Sequence, residues 1–224
     1  MVNISNYNDI KKSIPENVLL LAVSKTKPED DIMGFYNIGQ RDFGENHALE
    51  MASKFDHLPK DINWHMIGHL QTNKVKYIAP FVYMIHSVDR EKLLAEINKH
   101  AAKHSRTIRC LLQFKVAEEE TKTGFTYDEI IQLFETKAFD QYPNISINGL
   151  MTVATNTDNE EQIDKEFGQV ADLFACIKER YNPPSFTEIS MGMTDDYPIA
   201  IKNHSTIIRI GSAIFGERDY SQKG

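Results

Sequence analysis

Short apolar runs alternate with longer segments of helical spacing along the whole chain, and this alternation restricts the fold more than any other feature. Stacked βα units around a parallel sheet produce it, because each buried strand needs a crossover to return the chain to the same end of the sheet. Strands are expected at residues 18–26, 42–45, 63–67, 83–88, 107–116, 146–153, 187–190 and 207–210. Between them, DREKLLAEINKHAAKH (residues 89–104) and NEEQIDKEFGQVADLFACIKERY (residues 159–181) carry apolar residues every three to four positions, the spacing of a helix that covers a sheet. Eight such units without a Pro/Gly/Ser-rich linker favour an α/β fold closed as a single (β/α)8 TIM-type barrel over an open doubly wound sheet. With 224 residues and 41% hydrophobic content, residues 1–224 can bury one full-sized core, so a single domain is expected.

Charge narrows the partners. Against 25 Lys plus Arg stand 32 Asp plus Glu, a net charge of −7 that disfavours nucleic acid or an anionic membrane as the main partner. An anionic ligand would have to be held locally. Cys110 and Cys176 lie far apart without a disulfide-like spacing and read as reduced thiols. The N-terminal segment lacks the apolar core of a secretion signal, and no run of about 18 apolar residues occurs. A soluble, cytoplasmic protein is the expectation.

Barrel chemistry collects where strands end and βα loops begin. Those positions carry SKTK (residues 24–27), FGENH (43–47), WHMIGHLQTNK (64–74), NGLMTVAT (148–155), SMGMTDD (190–196) and RIGSAIFGERDY (209–220). In the first, strand alternation puts Val23, Lys25 and Lys27 on one face. Lys27 precedes Pro28 at the strand exit, so Lys25 is the buried candidate. A lysine drawn out of water is held partly neutral, and a neutral amine can form a Schiff base with an aldehyde. The competing reading has both lysines reaching solvent along their alkyl stems.

The last two loops bear on that choice. Phosphate is often bound after strands seven and eight of a barrel. Here Gly192 permits a close approach, Thr194 is a suitable N-cap before DDYPIAI, and Gly211 and Ser212 follow the last strand. Arg209 shares the parity of Ile207 and Gly211. It is either half of an ion pair with Asp195, Asp196 or Glu217, or a donor to an acceptor on a bound ring. Schiff-base lysine, phosphate cradle and ring-facing arginine together describe a site for pyridoxal 5′-phosphate.

LLAVSKTKP, FGEN, WHMIGHLQTNK, GLMT, SMGMTDD and RIGSAIFGERDY, in this order, resemble the successive signatures of the pyridoxal phosphate homeostasis proteins, single-domain barrels similar to the cofactor domain of alanine racemase. The resemblance runs from about Leu19 to Tyr220. It implies Lys25 as the Schiff-base lysine and Arg209 as the residue facing the pyridine nitrogen. It places Ser190, Gly192, Met193, Gly211 and Ser212 around the phosphate, with Asn46, His65 and Met151 lining the ring. Two positions depart from the family pattern: His204 stands where glycine is commoner, and Ser212 where threonine is commoner. Ser212 keeps the hydroxyl, whereas His204 bears on local backbone geometry.

The implied activity is that of a carrier or regulator holding the cofactor as a lysine aldimine in vitamin B6 and amino-acid homeostasis, not of an enzyme. Its partners would be pyridoxal phosphate and apo enzymes that use it, and its state a monomer or weak dimer. A donor-only arginine leaves the ring nitrogen unprotonated and weakens the carbanion route, and the racemase's second base comes from an additional domain. The alternative is a weak racemase or lyase with Tyr220 or His65 as second base; a third reading is a phosphate-binding barrel without covalent chemistry. The i, i+4 pairs His65/His69 and His100/His104 lack the glutamate of a metal-binding helix motif. Trp64 and Met66, Met151, Met191 and Met193 read as packing residues, and Glu118–Glu120 and Glu160–Glu161 as solvated faces.

Overall fold

The computed structural model describes residues 2–116 and 123–216. Its strands β1 (Leu19–Val23), β2 (Asp42–Glu45), β3 (Asn63–Met66), β4 (Met84–Val88), β5 (Ile108–Gln113), β6 (Ile145–Met151), β7 (Glu188–Ser190) and β8 (Ile207–Ile210) pair in sequence order. All pairs are parallel, and β8 closes on β1 with Leu21 opposite Arg209. The helices are α1 (Ile4–Ser13), α2 (Glu29–Tyr36), α3 (Ala48–His57), α4 (Val75–Ile78), α5 (Glu91–Lys103), α6 (Tyr127–Glu135), α7 (Glu160–Tyr181), α8 (Tyr197–Lys202) and α9 (Ser212–Phe215). The expected (β/α)8 barrel is therefore the architecture found, and α5 and α7 occupy the two segments whose spacing announced helices. Among the described residues no helix is long and apolar enough to cross a membrane.

Strand parity divides the core in two. One set of side chains, including Leu20, Ala22, Phe43, Trp64 and Ile208, faces the helix layer and packs against residues such as Phe35, Met51 and Phe167. The other set points into the barrel, where Leu21, Met84, Leu111, Met151 and Ile207 form a small apolar cluster. Trp64, Met66, Met151 and Met191 are buried as packing residues, but Met193 is exposed and belongs to the top of the barrel.

Strand β1 stops three residues before the expected limit. Beyond Val23 the backbone turns: Lys27 N–H donates to the Ser24 carbonyl, and Thr26 takes a φ of 63°. The apolar run cannot reveal that turn, because it is held by groups from β2 and α3. At Gly149 (φ 154°) a Cβ would come within 1.7 Å of the Glu188 carbonyl oxygen, so β6 passes β7 too closely for a side chain. The β5–β6 register shifts at the same place.

Candidate functional site

A cleft of about 210 Å³ opens at the carboxyl ends of β1 and β8. Val23, Lys25, Lys27, Ile67, Met193, Thr194, Asp195, Arg209, Gly211, Ser212 and Gly216 line it. Two amines, a guanidinium and two hydroxyls thus converge on one space, a donor set suited to an anion bearing a carbonyl group. Val23, Lys25 and Lys27 all line the cleft, although the turn after β1, not strand alternation, places the two lysines there. Lys25 is half-buried, however, not buried as expected. Lys27 is half-buried too, and its ammonium donates to the carbonyls of Phe215 (3.1 Å) and Gly216 (2.9 Å).

The turn carrying Lys25 is fastened on both sides by a buried ion cluster. Lys54 on α3 donates to Glu45 Oε1 (2.7 Å), Glu50 Oε1 (2.7 Å) and the Ser24 carbonyl (2.8 Å). Ser24 Oγ donates to Glu45 Oε1 (2.6 Å), and Thr26 N–H to Glu50 Oε1 (2.6 Å). Burial pushes the Glu45 carboxyl up to about 7 despite Lys54 beside it, and the nearby Glu50 charge pushes the same way. Among the described residues its Oε2 atom has no hydrogen-bond partner.

The loops after β7 and β8 meet across the cleft, with Ser212 Oγ 3.4 Å from Thr194 Oγ1. Thr194 does not cap α8, contrary to expectation. Asp196 is the N-cap residue, and its carboxylate accepts the Met193 N–H. Gly192 (φ 90°) allows a close approach, but to α8: a Cβ there would lie 2.5 Å from Ala200 Cβ and 3.0 Å from Tyr197 Cα. Arg209 is almost fully buried and donates to Ser190 O (2.8 Å), Ser190 Oγ (2.9 Å) and Thr152 O (2.8 Å). Among the described residues its hydrogen-bond acceptors are therefore neutral, and the alternative of an ion pair with Asp195 or Asp196 is not the arrangement found. Burial lowers the guanidinium to about 10, partly offset by the charge of Asp196. Glu217 and Tyr220, like Glu118–Glu120, lie outside the described residues.

The structure thus gathers Lys25, Met193, Thr194, Arg209, Gly211 and Ser212 around the cleft. Ser190 stands behind Arg209, and Met151 packs inside the barrel. Asn46 follows β2, its backbone close against Gly68. His65 is fully buried with both ring nitrogens engaged, Nδ1 with His86 Nε2 (2.9 Å) and Nε2 with Asp42 Oδ1 (3.1 Å). That engagement takes it out of the role of second base at the cleft. His69 pairs instead with Asp89, and His100 with Glu96. Sequence reasoning missed Ile67, Asp195 and Gly216 in the lining; Ile67 was accessible, since it shares the parity of His65 on β3. It also missed Glu45, Lys54, His86 and Asp42 as supports.

The comparisons decide the family. The family model for the alanine racemase N-terminal domain matches residues 4–219. A pyridoxal phosphate homeostasis protein of Aquifex aeolicus is 40% identical over 202 residues, covering 90% of this chain and 87% of the relative. The chain belongs to the pyridoxal phosphate homeostasis protein family. The family member of Escherichia coli K12 is 36% identical over 213 residues, covering 93% of this chain and 89% of its own. PipY of Synechococcus elongatus, solved with pyridoxal phosphate bound, superposes with a TM-score of 0.86 at 31% identity, over 95% of this chain and 99% of PipY. The alanine racemase of E. faecalis shares the fold alone, with a TM-score of 0.75 at 15% identity over 98% of this chain and 59% of the enzyme.

Proposed function

We propose that this chain, acting as one barrel domain, binds pyridoxal 5′-phosphate in the cleft and holds it covalently on Lys25. The observation that carries the reading is the convergence of Lys25, Arg209 and the β7 and β8 loops on one cavity. When bound, the cofactor supplies an electrophilic aldehyde on a phosphorylated pyridine ring. Lys25 would hold the aldehyde, supplying the amine for a reversible covalent link. Thr194 and Ser212 offer hydroxyls, and Gly211 and Met193 backbone, to the phosphate. Arg209, a donor without acceptor capacity, would face the ring nitrogen and favour its unprotonated form. Ser190 braces Arg209, Gly192 sets the loop path, and Asn46, His65 and Met151 support the ring side from farther away.

The biological role that fits is storage and delivery. A reversible covalent hold limits the free aldehyde and returns it to apo enzymes that use it, in a cytoplasmic setting and without a catalytic cycle. The relatives' shared designation as homeostasis proteins and the donor-only arginine support this reading over a racemase or lyase. The test is the visible spectrum of the purified protein before and after borohydride. The expected result is a yellow protein bleached by the reductant, with the reduced label on the peptide containing Lys25 and absent in Lys25→Ala. Label mainly on Lys27, with Lys25 unmodified, overturns the assignment.

A further inference from the structure

A continuous line of buried polar groups runs down the inside of the barrel from the cleft to its opposite mouth. Arg209 on β8 reaches Ser190 Oγ on β7 (2.9 Å), which reaches His86 Nδ1 on β4 (2.9 Å). His86 Nε2 lies 2.9 Å from His65 Nδ1 on β3, and His65 Nε2 lies 3.1 Å from Asp42 Oδ1 at the start of β2. Ser190, His65 and His86 are fully buried, whereas the Asp42 side chain is 18% exposed. Asn63 Nδ2 steadies the same Asp42 oxygen at 3.1 Å.

We propose that His86 and His65 are positioning residues, both neutral and both protonated on Nε2, that aim every donor in this line toward Asp42 and so hold Arg209 as a fixed donor beside the cleft. The assignment follows from donor accounting. The Asp42 carboxylate can only accept, so His65 donates from Nε2 and, as the neutral ring of the proposal, accepts at Nδ1. His86 then donates from Nε2 and accepts at Nδ1. Ser190 must give its proton to His86, which leaves its oxygen to accept from Arg209. Each acceptor is polarised by the donor it makes in turn, so the line strengthens the grip on Arg209 cooperatively. The surrounding charges agree. Besides Arg209 above, Arg109 on β5 lies near His86 and holds the hydroxyl of Tyr83, whose ring packs on His65. Arg109 is in turn near Glu188 on β7 (3.6 Å). Burial first, and then the permanent charges of Arg209 and Arg109, hold the His86 imidazole well below its ordinary range.

The functional arm rests on the cofactor reading; the tautomer arm does not. Nitrogen-15 spectra of the histidine rings at neutral pH in the protein without cofactor should show Nε2–H patterns for both. Asp42→Asn should move the ring signals of His86, which residue 42 does not touch. With pyridoxal phosphate present, Asp42→Asn should also weaken its binding about threefold to tenfold, the scale of one hydrogen bond, and shift the absorption of the bound form. Leu111→Val, inside the barrel but outside the line, should leave both signals unmoved. Should Asp42→Asn fail to fold, Ser190→Ala reads the line from the other end through His86 Nδ1. An Nδ1–H pattern at either ring, indifference of His86 to both variants, or an equal shift in Leu111→Val overturns the proposal. Loss of cofactor binding in the wild type would remove the functional arm and leave the tautomer result to stand by itself.

Discussion

Glu45 shows how one buried side chain can link site and stability. It is fully buried, bonded to Ser24 and Lys54, and desolvation pushes its carboxyl from 4.5 to about 7. The folded state therefore binds this proton more tightly than the unfolded chain. Stability from this group is fully present below pH 4.5 and is lost as pH rises toward 7, by about 3 kcal/mol over that window. Urea unfolding of the wild type and Glu45→Gln across pH 4.5 to 7.5 should show the wild type losing ground by about that amount. Parallel stability curves would refute a perturbed Glu45. Because Glu45 also holds Ser24, next to Lys25, cofactor affinity should weaken in the same variant. None of this is legible in FGEN by itself, since a carboxylate after a strand ordinarily faces water.

Among the elements, the β7 loop, α8 and the turn before β8 show where backbone conformation is under pressure. Gly192→Ala would push a methyl into Ala200 and Tyr197 at a positive φ. It should destabilise the protein by about 1–3 kcal/mol and weaken pyridoxal phosphate binding about tenfold or more by moving Met193 and Thr194; unchanged thermal stability and affinity would show that the loop tolerates the shift. His204 has a φ of 67°, in the left-handed region that penalises side chains. A glycine there would carry no such penalty. His204→Gly should raise stability by up to about 1 kcal/mol, the relief of strain less the entropy returned to the unfolded chain. A lowered melting temperature would mean that the imidazole makes a compensating contact. Each of these glycine and histidine positions was visible as a residue type, but the need for it came from the helix or strand packed against it.

At the scale of the whole molecule, closure of the barrel brings β8 beside β1 and so places Arg209 across from Leu21, on the strand that leads into the lysine turn. Two loops and one lysine turn then line one cleft, and on the proposed reading the phosphate should anchor the ligand there. Pyridoxal without phosphate should bind at least about tenfold more weakly, because charge-assisted hydrogen bonds contribute roughly 1.5–3 kcal/mol each. Equal affinities in matched titrations would remove Thr194, Gly211 and Ser212 from the site. The holo protein should also show negligible racemisation, transamination and decarboxylation of common amino acids. Turnover on the order of 1 s⁻¹ or faster that vanishes in Lys25→Ala would sink the carrier reading in favour of the enzyme.

The alternation of apolar runs and helical segments by itself determined the barrel, its eight strands and the rim on which chemistry should be sought, because those properties depend on local periodicity and on chain order. Parity went further in grouping Arg209 with Ile207 and Gly211 on one side of β8, but the shared face it gave Lys25 and Lys27 rested on a strand that in fact ends at Val23. It could not show that Asp196, not Thr194, opens α8, or that Lys54 from α3 ends β1 by capturing the Ser24 carbonyl. Nor could it join His86 to Ser190, which are 104 residues apart in the chain and meet only across the closed interior. Those contacts depend on strand register and barrel closure, which arise from the mutual packing of all eight units, and no local pattern in the chain encodes the distance between two residues on opposite walls.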